Sequence, residues 1–342
     1  MKKAIWQFVN LALTVVVFHC LGFAQQASMS TAPAKTPPKE YHGWKDAIFV
    51  RNGKAEVVIV PSLGRVMQFR FLDGKENNGV FWENGALYGK ALDAKSSEWG
   101  NFGGDKSWPS PQSDWPKMTQ RNWPPPSVFD SVPVTAIQMS DYPSTVVLKS
   151  EVDPNYGIRT HRRIKLDHSR AVLTIETTYE KVSGGPVKVG VWVITQTKEP
   201  ERVFINRPEH SIFKDGYAHM DGAPPYDYKE YPGWISMRRD PKNQTKIDND
   251  GSTMVWVGKD YTLKVESPRF TELDGNSNFP DSGTSTQVYT NPDPLPYVEL
   301  ETLGPLSTMM VGDKISRTNV YTLEKRGEKN AEKEAQRMMG KR

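Results

Sequence analysis

The sequence predicts an all-β fold, a large antiparallel β-sandwich in a single domain, and three observations predict it. Short β-branched and aromatic runs recur along the chain, separated by clusters of Gly, Pro, Asn and Asp. No stretch before the C-terminus carries a helical period, and 26 prolines oppose long helices. The 342 residues also leave ample chain for a core of two stacked sheets.

Taken in order, residues 1–24 read as a signal peptide. Lys2 and Lys3 form a positive start, a short apolar run follows, and Gly22-Phe23-Ala24 offers small residues for cleavage after Ala24. Such a run is too short to span a membrane. The expected location is therefore secreted or periplasmic. His19 stands where lipid attachment at Cys20 needs a small residue, which argues against a lipoprotein. Cys20 is the one cysteine, so no internal disulfide is possible. Residues 25–40 are polar and proline-rich without periodicity, the pattern of a flexible linker.

The sandwich is expected over residues 41–325. Early strands are expected at 55–60, 66–72, 132–139 and 145–151. Three consecutive strands, 157–166, 171–181 and 187–197, are joined by the turn His168-Ser169-Arg170 and the corner Gly184-Gly185-Pro186. Later strands are expected at 253–257, 261–267, 286–290, 296–303 and 315–323. Residues 326–342 are charge-rich and read as a solvated helix or frayed tail. The formal charge is +4, with basic residues scattered rather than striped, so no nucleic-acid partner is expected.

Residues 101–115 (NFGGDKSWPSPQSDW) concentrate two glycines, two tryptophans, Asp105, Lys106 and Gln112. The glycines and prolines predict a rigid, non-regular loop. Its flat indole faces, Trp108 and Trp115, beside hydrogen-bonding groups suit a sugar, whose C–H faces stack while its hydroxyls bond. A role as core plugs stands equally open for these tryptophans.

In the run Tyr297-Val298-Glu299-Leu300-Glu301-Thr302, strand alternation sends Val298 and Leu300 to the core. Glu299 and Glu301 share the other face with Tyr297, and mutual repulsion is expected to raise one pKa. Trp192 and Gln196 share a face of their own strand, Trp192 serving either as stacking platform or as core. Arg65 is placed to reach sugar hydroxyls or to form a structural ion pair. No histidine has metal-ligand spacing with an acid, so neither a metal nor a cofactor is expected. No phosphate-binding loop or nucleophile elbow is present in the sequence.

Three segments resemble the galactose mutarotase-like proteins, and within them a branch of secreted bacterial proteins. VPSLGRVMQFRF (Val60 to Phe71) is similar to the first hairpin of that fold. GGDKSWPSPQ (Gly103 to Gln112) is similar to a glycine-proline loop near the sugar site of hexose-phosphate epimerase relatives. VELETLGPL (Val298 to Leu306) with VGDKISRTNVYTL (Val311 to Leu323) is similar to the final strands. In mutarotases a late-strand glutamate takes the proton of the anomeric hydroxyl while a histidine protonates the ring oxygen. The resemblance implies Glu301 as the base. Trp192 stands where the family has its histidine, leaving His161 or Glu299 as substitutes for the acid. The leading expectation is a carbohydrate-binding protein that takes a small sugar or oligosaccharide. Its site comprises Arg65, Asp105, Lys106, Trp108, Gln112, Trp115 and Trp192 beside the glutamate pair. The alternatives are an aldose 1-epimerase-type isomerase and a polysaccharide lyase or glycosidase-associated domain.

Overall fold

Alternating burial along the strands sorts the side chains into an interior and two outer faces. The computed structural model describes residues 40–73, 79–92, 98–139, 144–269 and 278–340. The expected signal peptide and all but the last residue of the expected linker lie outside them. In chain order the first strands are β1 (Ile48–Arg51), β2 (Ala55–Val60), β3 (Arg65–Phe71), β4 (Asp105–Ser110), β5 (Thr135–Gln138) and β6 (Thr145–Val152). Next come β7 (Ile158–Leu166), β8 (Val172–Lys181), β9 (Val187–Lys198), β10 (Arg202–Asn206), β11 (Ala218–Gly222), β12 (Tyr226–Tyr231) and β13 (Trp234–Arg238). The last are β14 (Thr245–Asn249), β15 (Thr253–Val257), β16 (Tyr261–Glu266), β17 (Thr286–Thr290), β18 (Tyr297–Leu303), β19 (Ser307–Met309) and β20 (Lys314–Lys325).

They form two antiparallel sheets. The first runs β1-β2-β3-β4-β9-β18-β17-β14-β11, with β19 added beside β9, and the second runs β12-β13-β10-β15-β16-β20-β8-β7-β6-β5. Val57, Ile59, Val298 and Leu300 from the first sheet meet Ile164, Leu173, Leu263 and Leu323 from the second in one core. This is a sandwich, as the pattern of short strands predicts.

The two sheets differ on their outer sides. β7 and β8 alternate buried and partly exposed residues, as strands with one solvated face do. β4 is buried throughout and β9 and β18 nearly so, because further chain covers the middle of the first sheet. Trp115 packs there with Trp108 and Trp192, while Tyr41, Trp44 and Phe102 cover Val58, Val60 and Met67.

Several expectations need correction. Residues 105–110 are not a loop but strand β4, paired with β9 from Asp105↔Thr195 to Ser110↔Gly190. Pro109 is tolerated because β3 reaches β4 only at Val66↔Asp105, leaving the rest of that strand edge without a ladder to interrupt. The glycines steer the chain into it. Gly103 and Gly104 have φ of 92° and 72°, and a Cβ on Gly103 would lie 2.2 Å from the Trp82 carbonyl oxygen. The C-terminal segment is not wholly solvated either. Helix Ala331–Met339 packs Ala331, Ala335 and Met338 on Phe204, Val255 and Val257.

Candidate functional site

Register sets the site. β18 pairs with β9 so that Glu299 faces Gln196, Glu301 faces Ile194 and Leu303 faces Trp192. β4 pairs with the other edge of β9, placing Lys106 opposite Ile194 and Trp108 opposite Trp192. Period-two alternation therefore projects Lys106, Trp108, Trp192, Gln196, Glu299 and Glu301 from one face, the outer face of the first sheet. On the far side, β17 and β14 add Gln287 opposite Glu301, Tyr289 opposite Glu299, and Lys246 and Asp248.

Two lysine–tryptophan pairs stand side by side. Lys106 Nζ lies 4.7 Å from the Trp108 ring and Lys246 Nζ 4.6 Å from the Trp192 ring, both within cation–π range. Each lysine also meets a glutamate, Lys106 with Glu299 at 3.8 Å and Lys246 with Glu301 at 3.2 Å. Trp192 Nε1 donates to Glu301 Oε2 at 2.7 Å, and Gln196 Nε2 donates to Glu299 Oε1 at 2.9 Å.

Burial shifts the charges. Glu301 is fully buried, and desolvation, opposed by Lys246 and reinforced by Glu299, pushes its carboxyl up to about 7. Burial rather than carboxylate repulsion is the leading cause, which corrects the sequence-based account. Burial likewise lowers the Lys106 ammonium, against the pull of Glu299. Next door, Gln287 Nε2 donates to Asp248 at 2.7 Å and to Asp281 at 3.1 Å. Desolvation pushes Asp248 up to about 6 and raises Asp281 as well. Asp281 and Ser282 both have positive φ, 51° and 63°, a costly conformation for residues with side chains.

The polar complement of this face is incomplete. Buried Lys106 Nζ, Gln196 Oε1, Gln287 Oε1 and Glu301 Oε1 have no hydrogen-bond partner. Buried polar atoms are ordinarily paired, because an unmet one costs about 1–3 kcal/mol. Four such atoms, one donor and three acceptors, share one face with the indoles of Trp108 and Trp192, which are themselves only 5% and 4% exposed.

Other expected site residues lie elsewhere. Asp105 points inward between the sheets, where it accepts from Thr195 at 2.6 Å and Tyr321 at 2.7 Å and pairs with Arg162. His161 lies on the outer face of the second sheet, 2.8 Å from Glu180. That is the opposite side of the sandwich, so it cannot serve as an acid for Glu301. Arg65 is fully buried and committed to Gly103 O, Asp130 and Ser131. Its role here is to fix Asp130, which accepts from Trp108 Nε1 at 2.7 Å. Trp115 is a plug behind Trp108, its Nε1 bonded to Pro109 O. Gln112 lies in the turn Gln112–Asp114 after β4 and makes no hydrogen bond to the group.

Sequence reading missed Lys246, Asp248, Gln287 and Asp281. The alternation Lys246-Ile247-Asp248 was the available signal, a polar face of period two flanking an apolar residue. Among the described residues no cluster of His, Cys, Asp or Glu could hold a metal. No described helix is long and apolar enough to cross a membrane.

No family model and no curated protein matches the sequence. Solved structures do resemble the fold. A galactose mutarotase-like protein from Lactobacillus casei superposes with a TM-score of 0.56 at 9% identity, over 81% of this chain and 100% of that one. A TPR-domain containing protein from Parabacteroides distasonis gives 0.53 at 15% identity, over 81% of this chain and 46% of its own. A candidate aldose 1-epimerase from Klebsiella pneumoniae gives 0.51 at 8% identity, over 79% of this chain and 76% of its own. Two large antiparallel sheets in this arrangement give the chain the galactose mutarotase-like β-sandwich fold.

Proposed function

We propose that this protein recognises carbohydrate on the outer face of its first sheet. The observation that carries the reading is the set of four buried polar atoms without a hydrogen bond, on Lys106, Gln196, Gln287 and Glu301. They share that face with the indoles of Trp108 and Trp192. Sugar hydroxyls supply donors and acceptors at close spacing, so one ring meets several of these atoms while its C–H face rests on an indole. Glu301 and Glu299 are the principal acceptors, and Lys106 is the principal donor. Titration of the protein with an aldose panel by calorimetry tests the reading. Binding that disappears in Glu301→Gln while the fold persists supports it, and absence of binding to every sugar rejects it.

A second reading, epimerase chemistry with Glu301 as base, draws on one observation: the Glu301 carboxyl titrates near neutral pH, as an acid–base catalyst does. Binding ranks first because the Trp192 indole stands against Glu301 where the resemblance expects a histidine. It donates a hydrogen bond but transfers no proton at working pH. Exchange NMR on fresh anomers separates the two readings: faster interconversion lost in Glu301→Gln means an epimerase. We also propose export to the periplasm or medium, on the leader-like residues 1–24. Sequencing the mature N-terminus checks this, with Gln25 expected first.

A further inference from the structure

An aromatic recess lies on the outer face of the second sheet, beside the C-terminal helix. Trp234 stands opposite Asn206 on β10 and opposite Tyr231 on β12, and Phe204 lies two residues before Asn206. Period two therefore sends Phe204, Tyr231 and Trp234 to one face, away from the core that takes Val203, Ile205 and Ile235. Helix Ala331–Met339 packs on that face through Ala331, Ala335 and Met338. Between helix and strands remains a cavity of about 160 Å³. Buried Phe204 is its floor, and partly exposed Tyr231 and Trp234 are its walls, with Pro232 and Met339 beside them. The Phe204 and Tyr231 ring centroids lie 5.9 Å apart, so these two rings form one continuous aromatic surface.

The polar groups of this cavity select its ligand. Glu332 and Gln336 line it from the helix, and no lysine or arginine among the described residues does. Arg337, on the same helix, is spent on Glu334 and Glu324. Glu332 makes no ion pair among the described residues, and its Oε1 meets only the Gln336 amide, at 3.4 Å. A carboxylate without a counter-ion, beside three aromatic side chains, favours a positive ligand, because ring faces attract a cation. A primary ammonium brings three donors, and the side chains lining this cavity offer few acceptors for them. A fully N-methylated ammonium has no donors to satisfy, and its methyl groups pack on the rings. A carboxylate or phosphate on the ligand would meet Glu332 with no cation to offset it.

We propose that this cavity binds a small quaternary ammonium ion of the choline class, held by Phe204, Tyr231 and Trp234 with Glu332 as its counter-charge. The site is independent of the carbohydrate reading above, which stands or falls on the other sheet. The test is calorimetry of the full chain with choline and with its neutral isostere, in which a tert-butyl group replaces trimethylammonium. Ethanolamine, glycine betaine and phosphocholine complete the series. Choline is expected to bind about tenfold more tightly than the neutral isostere, and more tightly than the other three. Trp234→Ala is expected to weaken choline about tenfold. Glu332→Gln is expected to weaken it about threefold and to leave the isostere unchanged. Equal binding of choline and isostere overturns the cation site. Tighter binding of ethanolamine overturns the methylated ligand, and tighter binding of betaine overturns the role of Glu332. Tighter binding of phosphocholine assigns the cavity to a lipid headgroup and overturns the free ion. Absence of choline binding to the wild type overturns the proposal whether or not either variant folds.

Discussion

Trp192 Nε1 donates to the Glu301 carboxylate across 2.7 Å, and this bond organises the face on which both stand. Glu301 has two oxygens. One is held by Trp192 and Lys246, and the other is buried without a partner. The indole thus fixes the carboxylate so that Oε1 alone stays unpaired. In Trp192→Phe the aromatic plane persists and the donor is lost. Leaving a buried carboxylate short of a partner costs about 1–3 kcal/mol, so a urea unfolding curve is expected to show a lower midpoint with an unchanged slope.

The titration of Glu301 gives a signed prediction. Its folded pKa, about 7, lies above the unfolded value of about 4.3. Between these values the folded state holds the proton more tightly than the unfolded chain. The stability it contributes is therefore full in acid and is lost as pH rises through the folded pKa. Glu301→Gln removes this dependence while leaving the other buried acids in place. The melting temperature of the wild type relative to Glu301→Gln is expected to fall between about pH 4 and about pH 7 and to level off above that. A constant difference would show that Glu301 titrates normally.

Asp130 joins two roles, pairing with buried Arg65 at 2.8 Å and holding Trp108 Nε1 at 2.7 Å. Asp130→Ala strands a buried guanidinium and is expected to cost about 3–5 kcal/mol. Because Trp108 loses its anchor as well, tryptophan emission is expected to shift even where the variant remains folded. Chemical denaturation followed by fluorescence reads both effects.

The C-terminal helix is expected to be structural despite its charge. Glu334 is buried and accepts from Thr262, from the backbone of Gly327 and Glu328, and from Arg337. Deleting residues 326–342 uncovers Phe204, Val255 and Val257. Exposing that patch is expected to cost about 2–4 kcal/mol, read as a lower melting temperature.

Much of the sandwich was legible because its strands obey simple alternation. Residues 55–60, 253–257 and 286–290 were read at their observed limits. Strand β4 was hidden because DKSWPS carries a proline and two charges, and only its neighbours reveal that one edge is largely unpaired. Strands β10 to β14 were hidden in a polar, tyrosine- and proline-rich stretch whose apolar alternation is weak. At the site, the shared face of Glu299 and Glu301 followed from period two alone. Asp105 was expected at the site because its segment reads as a loop; once that segment is a strand, Lys106 and Trp108 share the outer face and Asp105 must face the core. No local pattern could set that facing, because the register against β9 decides it. The tail was read as solvated because charges outnumber its three buried apolar positions.

The central claim is that a sugar rests on the face shared by Trp108, Trp192 and Glu301. Saturation-transfer difference NMR on the aldose panel, with wild type and folded Glu301→Gln, tests it most directly. The account predicts saturation of sugar C–H protons by the wild type and its loss in the variant. No transfer to any sugar, or equal transfer by both proteins, would contradict it.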